Sequence, residues 1–448
     1  MDLAAGAGRR AWPLVAAGAV VGLTWAAALR GWMIHMAGGA SAFHWYGTFA
    51  LVLAPGLLIG GLLGLAEHRR RTGESRSRWL TLSPCLFLAA LADPAIFKAL
   101  ITQGLGGGAI GVVMFGLAGG YALAGRGRAW WRRTCGVVAV LGILLMTVLA
   151  SDAAPLETAH GLWVGLYAAS LLAVLMLACA IPQRIGRAAL VPAAWIATAV
   201  GGVGGLAWAA ALRAFMWEVA GEDASVEWAG TFLWVLLPGA IVGALLASAE
   251  YRRRSGCLPH ARWLVWSPML FAVVLLRHPR DLVSGFEGGI GLAAVAVPTV
   301  CMLGGYALAG RGPLWVRGLC GLVAISALPI WSLTATDVGG APMSLTDPHG
   351  LWAAILYWSL LATFMLAAAI PHRRAADAGA VFAARVARQV GSEDNQEPAS
   401  RVQQARQTTQ GGEEKTDDRQ DAGEISQRRR TPGPETRRIP TRVDVDRR

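Results

Sequence analysis

The sequence predicts an all-α integral membrane protein of about twelve transmembrane helices, in two parallel six-helix repeats with a disordered C-terminal tail. Three observations carry this: long apolar runs, a duplicated pattern of residues, and arginines confined to alternate loops. The 448 residues are 55% hydrophobic and only 15% charged, against roughly 25% charged in a soluble domain. Residues 373–448 hold 16 of the 40 basic and 13 of the 28 acidic side chains. The body before them is therefore more apolar still.

Crossing a hydrocarbon core of about 30 Å takes about 20 apolar residues. Runs of that kind occupy 11–34, 48–66, 79–97, 105–125, 134–152 and 161–181 in the first half. Their counterparts are 193–217, 231–249, 263–277, 289–310, 319–337 and 350–370. The third run of the second half is the weakest, because Arg277, His278 and Arg280 cut it short. The first run is longer than a signal-peptide core of about 7–15 residues, and its copy lies mid-chain, so it reads as a retained helix.

Residues 23–73 align with 206–256 without gaps, giving 27 identities in 51. Leu23-Thr24-Trp25-Ala26-Ala27-Ala28-Leu29-Arg30 returns as Leu206-Ala207-Trp208-Ala209-Ala210-Ala211-Leu212-Arg213. Ser83-Pro84 returns as Ser267-Pro268, and His160-Gly161-Leu162-Trp163 as His349-Gly350-Leu351-Trp352. The units expected are residues 1–187, 188–375 and 376–448.

Up to residue 372, one set of loops holds 19 basic residues and the other five. Arg69-Arg70-Arg71 and Arg252-Arg253-Arg254 head the rich set. Positive charge stays cytoplasmic, which places both termini in the cytoplasm of a multi-pass plasma-membrane protein. An even number of spans per half makes the halves parallel. Tryptophans fall where interfacial belts belong: Trp12, Trp79, Trp130, Trp131, Trp263 and Trp315 inside, and Trp45, Trp163, Trp228 and Trp352 outside. Trp25 and Trp208 lie deeper, where packing is expected. Pro55-Gly56 and Pro238-Gly239 predict kinks in the second span of each half.

The net charge of +12 does not indicate nucleic acid, because the arginines punctuate apolar runs. The six cysteines form no CxxC, and no phosphate loop, GxSxG or zinc signature occurs. No cofactor, metal or enzymatic activity is expected. The expected partners are the lipid bilayer, a small-molecule solute and a cytoplasmic partner of the tail. That tail is rich in Arg, Gln, Asp, Glu and Pro and cannot bury enough apolar surface to fold.

The candidate substrate-binding residues sit at predicted outer ends. Arg30 and Arg213 close the first span of each half, where a charge must snorkel or find a partner. Gly104 and Gly106 open the fourth span, and Gly289 and Gly291 open its counterpart. Free N–H groups at such helix starts suit an anion, although small residues also serve close packing. Asp152 and Asp337 end the fifth spans, and His160 and His349 begin the sixth. Pairing of the aspartates with the arginines is the structural reading of that set; metal binding or proton movement is the functional one. His35 and His44 become Glu218 and Glu227 in the second half, which predicts an asymmetric vestibule if they face it.

Glu67-His68-Arg69-Arg70-Arg71 and Glu250-Tyr251-Arg252-Arg253-Arg254 follow span 2 of each half. With twelve spans in two parallel sixes, this layout resembles the major facilitator superfamily, whose equivalent loop carries a glycine, an acid and basic residues. The resemblance implies shared architecture; the acid here is Glu, the spacing differs, and no functional residue carries over. The leading functional expectation is a secondary transporter or permease for a small anionic solute. The alternative is a non-transporting scaffold or accessory subunit whose tail recruits a partner. A membrane-embedded enzyme using Asp152, Asp337, His160 and His349 ranks last. A polar cavity between the halves favours transport, and a dry seam favours the scaffold.

Overall fold

The apolar runs fold as helices, because a backbone in lipid must satisfy its own polar groups. A computed structural model describes residues 11–37, 42–72, 78–94, 97–98, 107–125, 127–151, 154–184, 194–221, 224–255, 258–276, 290–339 and 344–373. Among them no strand occurs. The tail and Gly104, Gly106, Asp152 and Gly289 lie outside the described residues.

The helices run in the order α1 (Trp12–Ala37), α2 (Trp45–Thr72), α3 (an α-turn, Arg78–Thr81, then a 3₁₀ helix, Ser83–Ala92), α4 (Gly107–Leu123), α5 (Ala129–Ala150) and α6 (Ala159–Cys179). They continue as α7 (Ala194–Ala220), α8 (Ala229–Arg254), α9 (a 3₁₀ helix, Leu258–Leu276), α10 (Ile290–Leu308), α11 (Leu314–Gly339) and α12 (Pro348–Ala368). Seven of the described helices are long and apolar enough to cross a membrane: α1, α2, α5, α6, α7, α8 and α12. The remaining expected spans carry shorter apolar helices. The 17 residues of α4 rise only about 26 Å at 1.5 Å per residue.

Local chemistry sets the helix ends. Thr158 caps α6 by accepting from the Gly161 N–H at 3.0 Å. Asp347 caps α12 by accepting from the His349 N–H at 2.9 Å. Gly125 and Gly310 follow α4 and α10 with φ of 76° and 74°, a left-handed conformation that costs glycine nothing. α2 and α8 begin as π-helix, over Trp45–Leu53 and Ala229–Leu236. In each, the turn widens just before Pro55 or Pro238. A proline ring clashes with the carbonyl four residues back, and the wider turn moves that carbonyl away.

Small residues bring α1 against α2 and α7 against α8. A Cβ at Gly22 would fall on the Gly56 carbonyl oxygen, and one at Gly60 on the Gly18 oxygen. A Cβ at Gly205 would fall on the Gly239 oxygen, and one at Gly243 on the Gly201 oxygen. These are small-xxx-small stripes, and backbone contact is their purpose.

On their other faces α1, α6, α7 and α12 meet at the centre. Trp163, Tyr167 and Trp352 are wholly buried there, so Trp163 and Trp352 do not belong to the outer belt expected from sequence. They lie within the first two turns of α6 and α12, on the inward stripe, where position along the helix alone misleads. The remaining belt tryptophans, Trp12, Trp79, Trp130, Trp131, Trp263 and Trp315 with Trp45 and Trp228, are exposed. Trp25 donates to the Leu171 carbonyl at 2.8 Å, and Trp208 donates to the Leu360 carbonyl at 2.9 Å. Their rings lie 5.5 Å from Phe87 and 5.4 Å from Phe271. At the other end Glu67 holds Arg70 and Arg71, each at 2.6 Å, and Glu250 holds Arg253 and Arg254, each at 2.7 Å. Pairs on such a rim add little stability.

Gly205→Ala should overpack the α7–α8 seam and cost about 1–3 kcal/mol. Gly204→Ala, whose added Cβ meets nothing within 4 Å, should cost nothing and raise stability by up to about 1 kcal/mol through helix propensity. Thermal unfolding of the two variants in the same detergent checks the pair.

Candidate functional site

The end of the bundle where α1 and α7 finish gathers charge. Arg30 continues the α1 stripe Gly18, Gly22, Ala26 by one more turn. Arg213 does the same for Gly201, Gly205, Ala209 on α7. A residue on that stripe faces the partner helix, so each arginine reaches the segment that enters α2 or α8. Arg30 donates from Nη2 to the Ala42 carbonyl at 2.9 Å, and its guanidinium lies 4.2 Å from the centre of the Phe43 ring. Arg213 donates from Nη2 to the Ser225 carbonyl and from Nε to Thr231 Oγ1 at 3.3 Å. Its guanidinium lies 5.7 Å from the Trp163 ring centre. Cation–π contact and charged hydrogen bonds both strengthen out of water.

Both arginines are buried, at 6% and 8% exposure. Protein encloses them, so neither snorkels to the headgroups. Pairing with Asp152 and Asp337 falls outside the description: Asp152 is not among the described residues, and Asp337 lies in α11 without a described side chain. Gly104, Gly106 and Gly289 are likewise outside it. Gly291 lies in the first turn of α10, with its surroundings undescribed.

The two histidines enter one cluster with residues that sequence did not place in the site. His349 Nε2 lies 2.7 Å from Glu218 Oε2. Its ring stacks on Phe43 at 4.4 Å. His160 stacks on Trp217 at 5.0 Å and meets His35 at 5.7 Å between ring centres. His35 packs edge-on against Trp163 at 4.7 Å and Trp217 at 5.6 Å. His35 aligns with Glu218, and His160 with His349, so the same helix pairing carries two imidazoles in one half and an acid with an imidazole in the other. The asymmetry expected from the His35-to-Glu218 change thus lies inside the cluster. His44 and Glu227 are exposed.

Among the described residues, His35 Nε2, His160 Nε2 and Trp163 Nε1 are buried without a hydrogen-bond partner. A buried polar atom left so costs about 1–3 kcal/mol. Among the described residues no group of three or more His, Cys, Asp or Glu is placed to hold a metal.

Beneath this cluster Tyr167 and Trp352 close the centre. Tyr167 Oη donates to the Ala28 carbonyl at 2.6 Å, and Trp352 Nε1 donates to the Ala27 carbonyl at 3.1 Å. Below them lies a cavity of about 320 Å³ between α1, α6, α7, α8, α9 and α12. Its wall includes Trp25, Gly205, Trp208 and Phe364, with Thr24 and Thr363 as polar residues. The Thr24 and Thr363 hydroxyls bond each other at 2.7 Å. The cavity is thus neither the polar channel nor the dry seam posed from sequence; it is an apolar chamber.

No family model, curated protein or solved structure matches this chain. Its apolar helices are those of a membrane protein, and its chemistry rests on its own residues. The signal that would have found the clamp is the spacing Gly-x₃-Gly-x₃-Ala-x₃-Arg, present at 18–30 and 201–213. Trp217 and Phe43 carry no such spacing, because only the packing of the two halves brings them over the histidines, and Trp163 meets His35 through the contact of α1 with α6.

Arg213→Met keeps the aliphatic stem but strips the donors from Ser225 and Thr231. Thermal unfolding should show a loss of about 1–3 kcal/mol. Arg213→Lys should recover only part of it, because an ammonium lacks the planar fork.

Proposed function

We propose that the chain is a twelve-span plasma-membrane permease, two parallel six-helix repeats with both termini cytoplasmic, which carries a small amphiphilic organic anion. One observation carries this reading: the helices that bear the two buried arginines also wall an apolar chamber of about 320 Å³. That volume lies within the range of small-molecule sites. The anionic group belongs with the guanidinium groups and the apolar body with the chamber. Arg213 has five N–H donors, of which the bonds to Ser225 and Thr231 engage two. Duplication is supported by the matched Trp25 and Trp208 bonds, the matched arginine clamps and the matched glycine seams.

The closed layer of Tyr167 and Trp352 acts as the shut gate on the outer side of the chamber. The same layer favours a second reading, a non-transporting scaffold whose tail recruits a partner, in which the chamber never opens outward.

Liposomes carrying the protein should take up radiolabelled benzenesulfonate, which stays charged and leaks little, at least tenfold faster than empty liposomes. Thr363→Trp fills the chamber and should abolish the difference. Uptake equal to empty liposomes would remove the permease and leave the scaffold. Topology is checked separately: reporters at Arg70 and Arg253 should both read cytoplasmic, and opposite sides would end the parallel-repeat arrangement.

A further inference from the structure

The two imidazoles facing each other at the end of the bundle where α1 and α7 finish have a chemistry that the arginine clamps do not use. His35 is 7% exposed and Trp163 is entirely buried, and among the described residues each has a ring nitrogen without a hydrogen-bond partner. His160 adds a third such nitrogen. The three ring centres lie 4.7 to 5.8 Å apart. An indole N–H only donates, and a neutral imidazole offers one donor and one acceptor. A ligand that satisfies the set accepts hydrogen bonds. The Arg213 guanidinium lies 5.7 Å from the centre of the Trp163 ring.

We propose that His35, His160 and Trp163 form a site that takes up one small organic anion together with one proton. The proton goes to the free imidazole nitrogen of His35 or His160, which then donates to the anion beside Trp163 Nε1. No bond of the anion breaks, and the pair loads without adding net charge to the bundle. The inference rests on the anion reading above and adds the proton to it.

Charge explains why the two are taken up together. The ring neighbours of an imidazolium formed there are the second imidazole, Trp163 and Trp217, with the Arg213 guanidinium on the Trp163 ring and Glu218, next to Trp217 on α7, already engaged by His349. A bound anion supplies the missing counter-charge. By linkage, each ligand then raises the affinity for the other by the same factor. The corresponding position in the second half already holds its own counter-charge, because Glu218 stands 2.7 Å from His349. Arg30 lies nearer that pair, beneath Phe43. The halves therefore differ in function: one binds a proton only with its anion, and the other keeps a built-in acid.

Calorimetry tests this with full-length protein in nanodiscs and benzenesulfonate as the probe, which takes up no proton itself. Titrations in two buffers of different ionisation enthalpy count the protons bound. About one proton per anion is expected, and the affinity should fall about tenfold per pH unit as pH rises through the uptake range. His35→Gln with His160→Gln should bring the count near zero, while His44→Gln, at an exposed histidine outside the cluster, should leave it near one. Should the double variant fail to fold, the wild-type pH slope decides. Binding without proton uptake, or with a flat slope, overturns the proposal and leaves the anion site standing. Absence of any binding overturns both.

Discussion

The close approach of α1 to α2, and of α7 to α8, is the contact on which the rest depends. Lipid offers no hydrophobic gain for bringing two apolar helices together, so packing must do it. Glycines at 18, 22, 56 and 60, and at 201, 205, 239 and 243, let backbone meet backbone. Each pair then behaves as one thick element, and its free face turns inward. On α1 that face carries Thr24, Trp25 and Ala28; on α7 it carries Trp208 and Ala211. The chamber exists because these faces carry tryptophans hydrogen-bonded across the bundle and small residues between them.

The same stripe explains how two guanidinium groups survive inside. A charge within a bilayer costs at least about 2.5 kcal/mol unless it is served by partners. Arg30 and Arg213 stand one turn beyond the last small residue, where the helix pair opens and the entering segment presents a carbonyl. Ala42 and Ser225 supply those carbonyls, and Phe43 and Trp163 supply ring faces. Position on the stripe is a backbone property, so the clamp repeats even where the surrounding side chains differ.

Difference accumulates beyond the arginines, about one turn further from the chamber, at His35 on α1 and at Trp217 and Glu218 on α7. Phe43 lies over His349 and Trp217 lies over His160, so each half covers the other half's histidine. The covering rings come from positions that do not match in sequence. This is where two similar halves acquire distinct electrostatics: Glu218 with His349 on one side, His35 with His160 on the other.

Sequence by itself determined the apolar helices, their order, the proline sites in α2 and α8, and the arginines as paired outliers. These follow from hydropathy and local backbone chemistry, which neighbouring residues dictate. The ion pairs of Glu67 and Glu250 were also legible, because residues three and four apart on a helix are always neighbours. Tertiary structure alone decided that Trp163 and Trp352 are core rather than belt, that His35 and Glu218 join the site, and that the chamber is apolar. The physical reason is that hydropathy reports depth along a helix, whereas burial depends on rotation about it. Rotation is set by which face finds a glycine seam and which face meets the far half of the chain.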